Sequence, residues 1–185
     1  MASVLVPLAP GCEELEAVTI IDLLRRAGVE VTTAGLDVGP IECSRGVVLM
    51  PDINFASALS HSYDMVVLPG GGPGAERLDK DPRIERLLRQ MATEGHYVAA
   101  ICAAPKVLAR IGLLDGKRAT SYPGFVDKMN LPRVTYVNET VVQDGKIITS
   151  RGPGTAMDFA LHLIEVLVGK AKRNEVEAGL VRPGT

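Results

Sequence analysis

The sequence predicts an α/β fold, a doubly wound and mostly parallel sheet sandwiched by helices. Three observations carry this. Short apolar runs recur along the chain, stretches with helical spacing separate them, and glycine-rich turns follow several of the runs. Alternation of this kind builds βα units. A crossover between parallel strands is almost always right-handed.

The elements follow in order. Val4-Leu5-Val6-Pro7-Leu8 has no polar alternation, the mark of a strand covered on both faces. After a loop containing Gly11, the residues Leu15, Val18, Thr19, Asp22, Leu23 and Arg26 repeat with helical period, and Gly28 stands where a C-terminal cap belongs. Residues 29–34 make the next strand, and residues 41–50 a hairpin or bent strand. Met65-Val66-Val67-Leu68 is a core strand that ends at Gly70-Gly71-Gly72-Pro73-Gly74. Pro82 opens a helix whose buried face is Ile84, Leu87, Leu88 and Met91, and Gly95 ends it. Residues 97–101 form another buried strand, Cys102 follows, and a helix is expected over 103–111. Strands are expected near 118–120, 133–137 and 140–142, with Asp144-Gly145 turning the last of them into 147–149. A helix spans 155–168, and an amphipathic stretch runs over 171–180. No repeat or linker interrupts the pattern, so one domain over residues 1–185 is expected.

Composition narrows the function. With 46% apolar residues the chain can bury a large core, roughly 70% of its unfolded surface at this size. A net charge of -2, 4% aromatic residues and no basic block argue against a nucleic-acid scaffold. No apolar run reaches the roughly 20 residues that span a bilayer, so no membrane partner is expected. Residues 1–8 lack a basic region and read as a strand rather than a leader. The expected compartment is the cytoplasm, with Cys12, Cys43 and Cys102 as free thiols.

Open parallel sheets place their sites beyond the carboxyl ends of the strands. Three loops qualify: 9–16, 70–74 and 102–105. Cys102 has a small residue two before it and two after it, Ala100 and Ala104, as a nucleophile elbow requires at a sharp strand-to-helix turn. The following helix would favour its thiolate. A buried core cysteine fits the same pattern. Glu13 and Glu14 read as acids decorating a helix N-terminus. Glu16 falls at the same strand-end level as Cys102, where burial would push it towards its protonated form and make it a donor to a thiolate. The histidines do not compete. His61, His96 and His162 fall in a polar stretch, after a helix end and on a polar helix side, so a Cys–His dyad is not expected. No cluster has metal-ligand spacing, and no cofactor is called for. The Gly70–Gly74 run lacks the Lys-Ser/Thr of a phosphate loop. Its exposed N–H groups at Gly70 and Gly71, with that of Ala103, would serve as oxyanion donors, or the run is a flexible turn. Cys43 reads as a strand-edge thiol. Cys12 is placed to approach Cys102 as a resolving thiol. Ser150 and Arg151 either hold an anion or stabilise their loop.

At these residues the chain resembles the ThiJ/PfpI superfamily, in its YajL-like and parkinsonism-associated deglycase branch. The matching stretches run in order through nearly the whole chain: Ala9-Pro10-Gly11-Cys12-Glu13-Glu14-Leu15-Glu16, Arg26-Ala27-Gly28, Cys43-Ser44-Arg45, Val67-Leu68-Pro69-Gly70-Gly71, Ala99-Ala100-Ile101-Cys102-Ala103, Asp127-Lys128-Met129 and Thr149-Ser150-Arg151-Gly152-Pro153-Gly154-Thr155. The resemblance implies a flavodoxin-like sandwich, a homodimer, Cys102 on the elbow with Glu16 as its carboxyl partner, and amide donors from Gly71 and Ala103. It implies that Arg45 approaches the partner's site. Tyr122, before Pro123, stands where the animal-type proteins have histidine, and Cys12 replaces a small residue.

The expected function is a cysteine-dependent enzyme for reactive aldehydes. The resemblance implies, as its reaction, glutathione-independent conversion of methylglyoxal to lactate, or deglycation of proteins and nucleotides, with a protective role in oxidative stress. A redox-sensing thiol protein or chaperone without turnover is the alternative, and an amidase or protease the third reading.

Overall fold

The computed structural model describes residues 1–183. Strand β1 (Ser3–Leu8) is buried along almost its whole length, which its unbroken apolar run requires. Helix α1 (Glu14–Arg26) returns the chain to β2 (Glu30–Gly35), which pairs with β1 in parallel from Ser3↔Glu30 to Leu8↔Gly35. An antiparallel hairpin, β3 (Ile41–Glu42) and β4 (Val48–Leu49), follows. Next come the edge strand β5 (Ile53–Asn54) and the short helix α2 (Phe55–Ala58).

The chain then crosses to the other side of β1. Strand β6 (Met65–Leu68) pairs with β1 in parallel. Helices α3 (Gly72–Lys80) and α4 (Pro82–Thr93) lead to β7 (Tyr97–Ile101), and α5 (Pro105–Arg110) follows a tight turn at 102–104. Strands β8 (Arg118–Ala119) and β9 (Thr135–Tyr136) pair with each other. Hairpin β10 (Val141–Asp144) and β11 (Ile147–Ser150) completes the sheet, and helices α6 (Ala156–Val168) and α7 (Lys170–Gly179) close the fold.

The main sheet has seven strands in the order β10-β11-β7-β6-β1-β2-β5, with only the β10–β11 pair antiparallel. Helices α1 and α6 pack on each other, and α3 lies against α4 and α5. This is the doubly wound, flavodoxin-like arrangement expected. The strand order reverses between β1 and β6, so the loops after these two strands diverge and leave a crevice. Among the described residues, no helix is long and apolar enough to cross a membrane.

Several expectations need correction. The buried face of α1 is Glu14, Glu16, Ala17, Ile20, Leu23 and Leu24, whereas Leu15 and Val18 are 52% and 45% exposed. The glycine-rich run is not a flexible turn. Gly70 and Gly71 are buried, and from Gly72 the chain is helical, with Pro73 in the first turn and Ala75 and Leu78 anchoring the helix. The helix after Cys102 begins at Pro105, whose fixed φ suits a first helical turn. The strand predicted at 133–137 is two residues long and lies outside the main sheet.

Candidate active site

The site forms where β1, β6 and β7 end. Strand β7 delivers Cys102, whose φ of 65° places it in the left-handed region. A non-glycine residue there is strained. Two backbone hydrogen bonds hold it: Cys102 N–H donates to Ser150 O at 3.1 Å, and Tyr122 N–H donates to Cys102 O at 2.8 Å. The expected elbow is therefore present, with neighbouring loops clamping the backbone on both sides. Its small neighbours are required by space, since Ala103 and Ala104 are buried almost completely.

Gly70 explains how a carboxyl and a thiol fit together here. A Cβ at Gly70 would stand 2.5 Å from Cys102 Cβ and 2.6 Å from Glu16 Oε2. The missing side chain leaves room for both groups. Gly70 N–H donates to Glu16 Oε2 at 2.8 Å, so this amide is committed to the carboxyl rather than free for an oxyanion, as had been expected. Glu16 is fully buried on α1, and its Oε1 has no aligned hydrogen-bond partner. The Cys102 thiol interacts with the same carboxyl and receives the N–H groups of Gly71 and Ala103. The amides expected as donors, Gly71 and Ala103, thus favour the thiolate.

Burial pushes the Glu16 carboxyl up to about 7, against the Gly70 hydrogen bond and the interaction with Cys102, which lower it. Burial and the charge of an ionised Glu16 push the Cys102 thiol up to about 12, against the amides of Gly71 and Ala103. The two groups compete for one negative charge. With the proton on Glu16 the repulsion on sulfur vanishes, and the carboxyl gains an O–H to offer the thiolate. Cys102 is almost completely buried, at 8% exposed. Wider surface clefts, one lined by Ser3, Arg25 and His61, another by Pro10, Leu36 and Arg83, include neither Cys102 nor Glu16.

The remaining residues divide. Tyr122 is near, through its backbone, but its side chain is half-exposed and its ring lies over Gly152. Ser150 is adjacent to Cys102, yet its hydroxyl donates to Thr140 O at 2.7 Å and pairs with Thr155 Oγ1 at 2.7 Å, which makes it a loop-stabilising group. Arg151 carries a buried Nε without a hydrogen-bond partner. Arg45 is exposed and stays on its own hairpin, donating to Ser44 O at 3.2 Å. Cys12 is turned towards Cys43, its Sγ 3.6 Å away, and not towards Cys102 as a resolving thiol. Cys43 is buried rather than a strand-edge thiol. His162 pairs with Gln143, His96 faces Glu94, and His61 lines a surface cleft.

Glu14, expected only to decorate the helix N-terminus, proves structural. Glu14 is buried, and its carboxyl accepts from Ser44 Oγ at 2.9 Å and Arg45 N–H at 2.8 Å. Burial would raise this carboxyl, but these donors outweigh it and hold it below the usual carboxylate range.

Known proteins share this fold. The chain is 48% identical over 181 residues to protein dj-1beta of Drosophila melanogaster, covering 97% of this chain and 96% of that one. The crystal structure of that fly protein superposes with a TM-score of 0.94 over 97% of both chains. The structure of oxidized Toxoplasma gondii DJ-1, 40% identical, also gives 0.94, over 99% of this chain and all of that one. The glutathione-independent glyoxalase DJR-1.2 of Caenorhabditis elegans is 36% identical over 94% of this chain and 93% of its own. The model of the DJ-1/PfpI family matches residues 2–166. By fold, by sequence and by the extent of the match, this chain belongs to the DJ-1/PfpI family.

Proposed function

We propose that the chain is a cysteine-dependent enzyme for small reactive aldehydes, converting methylglyoxal to lactate without glutathione, with deglycation of proteins or nucleotides as the related activity. The observation that carries this reading is the buried Glu16 carboxyl beside the Cys102 thiol, with the amides of Gly71 and Ala103 on the sulfur. The likeness to DJR-1.2, a glutathione-independent glyoxalase, supports the reaction class.

The Cys102 thiolate adds to the aldehyde carbon, and the new alkoxide takes a proton from Glu16, giving a hemithioacetal. The Glu16 carboxylate then removes the proton from that carbon. The electron pair passes through an enediol, and the proton returns at the neighbouring carbon, leaving a thioester. Water cleaves the thioester, releasing the hydroxy acid and restoring the thiol. A carboxyl near pH 7 can serve both as acid and as base in this cycle. The near-complete burial of Cys102 favours a substrate of a few heavy atoms. The test is lactate formation from methylglyoxal with no added thiol, by the parent and by Cys102→Ser. Equal rates overturn the reading.

A second reading has its own support. The structure of the Toxoplasma protein is of an oxidized form, and the two amides at the Cys102 sulfur would hold a sulfinate as well as a thiolate. In this reading Cys102 senses oxidants, as a protective thiol protein or chaperone does. Mild peroxide that modifies Cys102 while no aldehyde is turned over selects it.

The protein is also proposed to act as a homodimer in the cytoplasm, as one domain. The support for the dimer is the outward face of α1, where Leu15 and Val18 stand exposed and where none of the described residues covers them fully.

A further inference from the structure

Cys12 and Cys43 come from segments 31 residues apart, yet their sulfurs stand 3.6 Å from each other. Both are buried. The backbones around them are stitched together: Gly11 N–H donates to Glu42 O at 2.8 Å, and Ser44 N–H donates to Cys12 O at 2.8 Å. Glu14 ties down the far side of the hairpin turn through Ser44 and Arg45. The two thiols are therefore held face to face by bonds on either side of them. A disulfide needs its sulfurs about 2.05 Å apart, so the pair at 3.6 Å has a short distance left to close.

We propose that Cys12 and Cys43 are a redox modification site, separate from Cys102, which a hydroperoxide closes to a reversible disulfide within one chain. The chemistry balances with hydrogen peroxide as the oxidant. Cys43, the less buried of the two, loses its proton and attacks the peroxide. The O–O bond breaks, one water leaves, and Cys43 carries a sulfenic acid. Cys12 sulfur attacks the Cys43 sulfur, the S–O bond breaks, and the Cys12 proton leaves with the hydroxide as a second water. Two thiols lose two electrons and two protons, and the peroxide is reduced to water. Burial raises both thiols, most strongly Cys12, so the pair rests in its protonated form and reacts slowly.

Closure bears on a crowded loop. A Cβ at Gly74 would stand 2.6 Å from Cys12 Cα, and Glu13 N–H donates to Gly70 O at 2.9 Å. The backbone on which Cys12 sits is thus packed against the turn that carries Gly70 and Gly71. The proposal does not depend on Cys102 being catalytic, and its test removes that residue.

The full-length Cys102→Ser chain is treated with hydrogen peroxide under native conditions, then denatured, alkylated and digested without reduction. The expected product is a peptide holding Cys12 joined to one holding Cys43, two hydrogens lighter than the reduced pair, on a chain that migrates as a monomer. Dithiothreitol returns both thiols. Cys12→Ser and Cys43→Ser, each added to the Cys102→Ser chain, abolish the linked peptide. Complete alkylation of both thiols after denaturation overturns the proposal, as does a link between two chains or a Cys43 sulfinic acid with Cys12 still free.

Discussion

The backbone N–H of Gly70 donates to Glu16 Oε2 at 2.8 Å, and any side chain on the same glycine would collide with Cys102 Cβ. One residue without a side chain thus spaces the carboxyl and the thiol. Gly70→Ala puts a methyl 2.5 Å from Cys102 Cβ and 3.0 Å from Ile101 O. Overpacking of this kind costs about 1–3 kcal/mol, and the aldehyde activity should fall at least as steeply as the stability. Thermal unfolding and lactate assays on the same preparation check this. A Gly70→Ala protein with parental turnover shows that the spacing is not required.

Glu16 and Tyr122 should separate in kinetics. Glu16→Ala removes the proton carrier and should lower turnover by about 10²–10⁴, whereas Tyr122→Phe should stay within a few-fold of the parent. The Tyr122 contact with Cys102 runs through its backbone N–H, which phenylalanine keeps. A phenol with a reference pKa near 10 is also a poor base at neutral pH. If Tyr122→Phe is as inactive as Cys102→Ser, the proton path runs through the phenol.

Glu16 should leave a mark on stability that depends on pH. Its carboxyl rises from 4.5 to about 7 in the folded protein, so the folded state binds more protons than the unfolded one across that window. Stability contributed by the protonated carboxyl is whole below about pH 4.5 and is lost as pH rises through 7. The full swing is about 3 kcal/mol. In a Cys102→Ser background, which removes the coupled thiol, Glu16→Gln should gain stability relative to its parent between pH 4 and pH 8. Denaturant titrations at the two pH values measure the gap. A constant difference means that Glu16 does not titrate abnormally.

The outward face of α1 makes a prediction about assembly. Light scattering at micromolar concentration should give twice the chain mass. The double substitution Leu15→Arg and Val18→Arg, at side chains that touch solvent in the single chain, should give one chain mass without loss of fold by circular dichroism. A parent that is already monomeric removes the dimer.

The Cys102 elbow was legible because its signal is local. Small residues at fixed offsets around a cysteine, directly after an apolar run, describe a steric need that the strained turn confirms. Glu16 was legible from its level at the strand end. The face of α1 was not, because the helix buries two carboxylates and exposes two aliphatic side chains, the inverse of what an apolar count assumes. Helix α3 was hidden by Gly-Gly-Gly-Pro-Gly, a composition that reads as a turn until the close packing of Gly71 and Gly74 against residues 11–13 is seen. The meeting of Cys12 with Cys43 has no local signal at all, since the hairpin that carries Cys43 docks from 31 residues away.

Glu16, Gly70 and Cys102 sit after three different strands, and those strands are neighbours in space only once β6 has crossed over β1 and β7 has paired with β6. Each pairing closes a long loop, and such closures are slow compared with helix formation. A piece of the chain that ends before β7 therefore cannot assemble the dyad. During refolding, the reactivity of Cys102 beside Glu16 is a clock that starts only when the middle of the sheet is complete. Helical signal regained earlier reports on α1 and α6 without reporting on the site.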